Sequence, residues 1–175
     1  YPNFNLYETD PKELQLGSTK FLMMPWITKT NYQKSTDLMA NSDAHVVMGH
    51  LEVKGFEMMK GTVSTHGFDM GLFKNFEALY SGHFHHPSTY GNITYLGAPY
   101  EMNWSDYKGR RGFHVFDTET REIERVDNPH RIFYKIDYDD EDMTVDDIAN
   151  LDTSSLSNTY IKVIIKNKTN PYLYD

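Results

Sequence analysis

Residues 77–87, EALYSGHFHHP, set a short apolar run directly before a Gly-His-x-His string, and the reading of this stretch decides the fold. A run of this length that ends at glycine reads as a strand buried on both faces, the kind that parallel sheets contain. The same arrangement stands upstream in residues 45–50, HVVMGH, where another apolar run ends in Gly-His. Two such strands predict an α/β sheet in which ligands gather at the carboxyl edge, because loops there can turn side chains toward one crevice. His50 and His83 lie at that edge. Gly49 and Gly82 would let the backbone turn sharply as each strand stops. His85 follows His83 by two residues, so continued strand geometry points both imidazoles to one side, the spacing of a metal pincer.

Working outward, the segments FNLYE (4–8), ELQLG (13–17) and TKFLMMPWI (19–27) read as strands separated by Asp-Pro and Gly-Ser breaks. A helix is expected over Tyr32 to Ala40, and a looser, glycine-dotted stretch runs from Gly55 to Gly71. NITYLGA (92–98), GFHVFDT (112–118) and REIERVD (121–127) carry the period-two alternation of antiparallel strands. The Asn-Pro turn in DNPH, residues 127–130, is the best domain boundary. Beyond it, RIFYKIDY, a short helix near Val145 to Leu151, and YIKVIIKN suggest the start of a small α+β module.

Hydrophobic residues make up 39% of the 175 and aromatic residues 14%, enough to build a folded core. No run approaches the roughly 18 apolar residues that a membrane span needs, so no membrane partner is expected. The chain has no cysteine, which leaves histidine and carboxylate as the ligands for any transition metal and favours a cytoplasmic location. The net charge of −8 argues against nucleic acid at first, but it is uneven, with Asp137–Asp142 (DYDDED), Asp146 and Asp147 supplying much of the excess. That run lacks the glycine-centred alternation of a calcium loop and is expected to be a solvated loop. Tyr1 in first place and the closing NPYLYD look like the ends of a piece of a longer chain.

VVMGHLEVKGF (46–56), YSGHFHH (80–86), ITYLGAPY (93–100) and GRRGFHVFDTET (109–120) closely resemble the later metal-binding motifs of calcineurin-like metallophosphoesterases, and within them the SbcD-type nucleases of DNA repair and recombination. The resemblance runs from Tyr1 to about Pro129 and more faintly to the end. It implies the second half of a layered α/β sandwich, two β-sheets flanked by helices, over residues 1–129. Residues 130–175 would begin a small α+β domain that caps the nuclease cleft. It also implies two divalent metal ions, manganese or magnesium, with His50 and His83 as ligands of one and His85 of the other, and a bound water that attacks a DNA phosphodiester. A coiled-coil SbcC-type ATPase partner and a homodimer are implied as well.

The departures from that pattern matter equally. The family's Asp-x-His, Gly-Asp and Gly-Asn-His-Asp motifs, which carry the bridging aspartate, have no usable counterpart here. Asp43-Ala44-His45 precedes its strand, which would put His45 roughly 16 Å from His50 at about 3.3 Å per residue. The chain is therefore expected to be inactive by itself. His86 has no place in the motif, His66 reads as a loop histidine, and His114, between core positions Phe113 and Val115, should face solvent or a neighbouring strand. Trp26 reads as core packing. Lys108, Arg110 and Arg111 form the compact basic cluster and are candidates for phosphate contacts with DNA, against a solvated turn. A phosphodiesterase acting on small substrates would keep the same histidines and remains the alternative, as does a metal-binding fragment without activity.

Overall fold

The computed structural model describes residues 9–59 and 61–169. The strand expected over residues 4–8 and the closing NPYLYD lie outside them. The chain divides into two compact units, one of the residues up to Pro99 with Gly109–Asn128, the other of Tyr100–Lys108 with the residues from Pro129 onward.

The first unit contains β1 (Lys12–Leu16), β2 (Thr19–Met24), α1 (Tyr32–Asn41), β3 (Val46–Gly49), β4 (Glu57–Met59), β5 (Thr62–Val63), β6 (Ala78–Ser81), β7 (Ser88–Tyr90), β8 (Ile93–Tyr95), β9 (Gly112–Phe116) and β10 (Ile123–Asp127). Six of these strands form a mixed sheet in the order β1-β2-β3-β6-β8-β7. The four inner strands are parallel and the two edge strands antiparallel to their neighbours. NITYLGA, expected as a hairpin strand, does pair antiparallel with β7, but β8 also lies parallel to β6, and both Ile93 and Tyr95 are buried there.

Both faces of the sheet are covered, which is why its strands read as continuous apolar runs. Leu22, Val47 and Leu79 stand side by side in register and are fully buried, facing a core that includes Met39 of α1, Phe73, Phe84 and Tyr95. Their neighbours Phe21, Val46 and Tyr80 turn to the opposite face, against Phe116 and Ile123 of the β9–β10 hairpin. Phe116 meets Phe21 and Tyr80 edge-on, at ring separations of 5.3 Å and 5.8 Å, a favoured aromatic geometry. The alternation of β9 is therefore the reverse of the sequence reading. Phe113 and Val115 are exposed, while His114 and Phe116 turn inward.

The second unit contains β11 (Phe133–Asp139), α2 (Val145–Ala149) and β12 (Tyr160–Asn167). β11 and β12 are parallel, with α2 between them in the chain, so the module is a βαβ unit. Thr144 opens α2 with a capping box, receiving the Asp147 amide at 3.2 Å while the Asp147 carboxylate takes the Thr144 amide at 2.8 Å. Glu101 is buried in this unit and accepts hydrogen bonds from the amides of Ile132 (2.8 Å), Phe133 (3.0 Å) and Lys108 (3.2 Å) and from Arg131 (3.2 Å). The acidic run is not wholly solvated. Asp140 is buried and receives the Tyr138 hydroxyl and the amide and hydroxyl of Thr169.

Candidate metal centre

Parallel order brings the carboxyl ends of β2, β3 and β6 to one edge of the sheet, so that Trp26, His50 and His83 follow adjacent strands. The His50 and His83 rings are 5.0 Å apart and nearly perpendicular. With Trp26, Ile27, Leu51, Glu52, Gly67 and Phe68 they line a cleft of ≈ 180 Å³.

The turns that carry the histidines are tied together by buried hydroxyls. Ser81 Oγ donates to the Leu51 carbonyl at 2.8 Å and accepts the Leu51 amide at 3.0 Å. The Tyr95 hydroxyl donates to the same carbonyl at 3.0 Å and accepts the Val53 amide at 2.8 Å. Burial pushes the Tyr95 phenol up to about 12, against a lowering by the Val53 amide, so it remains a hydroxyl throughout the physiological range. The two glycines act differently from the sequence reading, since neither is among the positive-φ residues. Gly49 allows close approach instead, for a Cβ there would stand 2.7 Å from the Met24 carbonyl. At Gly82 a Cβ would meet His50 Nδ1 at an ordinary 3.7 Å.

His50 is held below the ordinary histidine range, first by burial and then by the neighbouring His83 and His85. A neutral imidazole is the form that binds a metal. His83 Nδ1 is buried and has no hydrogen-bond partner among the described residues, and a buried polar nitrogen in that condition is costly unless something else meets it. The imidazole pair and the orphaned nitrogen fit part of a divalent-metal centre. They do not complete one: among the described residues no group of three or more His, Asp or Glu side chains is placed to hold an ion. His85 does not line the cleft. Its carbonyl accepts the Ala98 amide at 3.0 Å and the Arg111 guanidinium.

Asp43 and His45 stand at the opposite end of β3, where Lys20 pairs with Asp43 and the Lys20 amide donates to His45 Nδ1 at 2.9 Å. His66 is exposed. Of the basic cluster, Arg110 is exposed and pairs with Asp127 at 2.9 Å. Lys108 is exposed in the second unit, at φ 60. Arg111 is 2% exposed, and its guanidinium is engaged by the carbonyls of His85 and Arg110. Sequence reasoning missed Trp26, which is 57% exposed rather than in the core. It also missed Glu52, whose carboxylate lines the cleft and receives the Ser64 hydroxyl at 2.8 Å. Its place two residues after His50 was the available signal.

An α/β sheet with histidine-bearing turns converging at its carboxyl edge is the class of protein defined here. No family model matches the sequence. The chain is 33% identical over 148 residues, 80% of its length, to exonuclease subunit 1 of Enterobacteria phage T4, of which the match covers 43%. It is 28% identical over 139 residues, 63% of its length, to the SbcD component of the nuclease SbcCD of Staphylococcus epidermidis, of which the match covers 37%. The chain spans less than half the length of these relatives. Over the matched part the chain is homologous to these two nuclease subunits. Among the described residues no helix is long and apolar enough to cross a membrane.

Proposed function

We propose that the chain is part of a divalent-metal-dependent DNA nuclease of the metallophosphoesterase type, hydrolysing phosphodiester bonds in recombination and double-strand-break repair. The observation that carries this reading is the pair His50 and His83, 5.0 Å apart on turns after adjacent parallel strands, with His83 Nδ1 buried and unpartnered among the described residues. Names of the two relatives support the nuclease activity.

In this reading His50 and His83 hold one ion and His85 the other, manganese or magnesium, and the carboxylates that complete the pair come from a part of the protein outside this chain. Bound ions of this kind supply Lewis-acid stabilisation of the phosphate and a water acidic enough to attack near neutral pH. The chain's own contribution is positioning. Ser81 and Tyr95 fix the turn behind His50, burial and its neighbours hold His50 below the ordinary histidine range, and Arg111 holds the backbone of His85. The second unit would begin the capping domain, and the name of the staphylococcal relative suggests an SbcC-type ATPase partner. A homodimer and a cytoplasmic location, the host's if a phage encodes the protein, complete the proposal.

The test is cleavage of a labelled duplex with manganese by the complete protein, by the complete protein carrying His83→Ala, and by these 175 residues alone. Cleavage by the complete protein, its loss with His83→Ala and no activity of the piece are expected. Undiminished cleavage by the His83→Ala protein would overturn the assignment.

A further inference from the structure

We infer that Trp26 is a nucleobase platform, stacking on an unpaired base of the nucleotide whose phosphate lies at the histidine pair. The inference rests on the nuclease reading. The indole stands beside both histidines, its ring 5.2 Å from His50 and 6.0 Å from His83, nearly parallel to the latter at 28°. Within this chain the indole is 57% exposed, its face open at the lip of the cleft.

The exposure is built into the loop. Pro25 is buried, which anchors the chain immediately before the indole. Asn31, 5% exposed, donates to the Trp26 carbonyl at 3.0 Å and accepts the Thr28 amide at 2.7 Å. One buried amide side chain thus ties the backbone from Trp26 to the start of α1, which places the large ring at the cleft. An aromatic face beside a phosphate-handling site suits a base, because every base has a π-face and stacking tolerates any sequence. A paired base inside a duplex has both faces covered by its neighbours, so Trp26 would take an unpaired or frayed nucleotide.

The experiment uses the complete protein as wild type, Trp26→Ala and Trp26→Phe, with fluorescently labelled single-stranded oligonucleotides that carry either a base or an abasic residue at the scissile nucleotide. Anisotropy without added metal gives affinity, and cleavage with manganese gives KM and kcat separately. Trp26→Ala is expected to weaken binding of the normal oligonucleotide about tenfold and to raise KM rather than lower kcat. Trp26→Phe should stay within about threefold of wild type, and the abasic oligonucleotide should bind equally to all three. An equal loss on normal and abasic strands, or no loss on either, would overturn the inference. A His83→Ala control separates the two readings, since cleavage surviving that change would remove the nuclease assignment itself, whatever Trp26 does.

Discussion

Ser81 and Leu51 exchange two hydrogen bonds, the hydroxyl donating to the carbonyl at 2.8 Å and accepting the amide at 3.0 Å. Through this one side chain β6 holds the turn that follows His50, so the two histidines are kept at a fixed separation although 33 positions apart in sequence.

Replacing Ser81 with alanine leaves the buried Leu51 amide without its acceptor. The expected loss is about 1–3 kcal/mol of stability, measured by urea denaturation, together with weaker metal binding in the complete protein by calorimetry. Stability falling while metal affinity stays at the wild-type value would show that the clamp does not position His50.

Arg110 and Arg111 are adjacent in sequence but differ in environment, and their alanine variants should differ in kind. Loss of the exposed Arg110 should lower DNA affinity and reduce the slope of log K against log salt by about one. Loss of the buried Arg111 removes one donor to the His85 carbonyl, the Ala98 amide remaining, and should lower kcat at unchanged salt slope. Matching salt slopes in the two variants would refute the distinction.

Glu101 links pH to the stability of the second unit. Burial acts to raise its pKa, but the amides of Phe133 and Ile132, the Arg131 guanidinium and the Lys108 amide outweigh this and hold it below the usual carboxylate range. A depressed folded pKa means that the stabilisation is fully present above the unfolded value of about 4.3 and is lost as pH falls through the folded one. Acid titration followed by Trp104, which packs on Phe133 at 4.8 Å, should therefore show the unit weakening below about pH 4. Glu101→Gln should cost about 2–3 kcal/mol at neutral pH and flatten the acid dependence, and an unchanged acid midpoint in that variant would contradict the assignment.

Gly49 tolerates no side chain, because β3 passes against the Met24 carbonyl. Gly49→Ala should destabilise the first unit by roughly 1–3 kcal/mol and shift His50, whereas Gly82→Ala, with space for its methyl, should cost less than about 1 kcal/mol. Thermal unfolding of the two variants side by side checks the order.

The sequence by itself determined the strands after which the histidines stand and the helix expected over Tyr32 to Ala40, which the structure extends by one residue to Asn41, because doubly buried runs closed by glycine are local signals. It also showed that Asp43 and His45 belong to the wrong end of β3, a matter of strand length alone. Only the tertiary structure decided which face of β9 is covered, for period-two alternation defines two faces without saying which meets another layer. Phe116 turns inward because Phe21 and Tyr80 wait there. The same reason applies to Arg111, buried behind His85, and to Trp26, exposed beside His50. Burial of a side chain depends on what distant segments bring to it, and for these residues those segments lie 24 or more positions away in the chain.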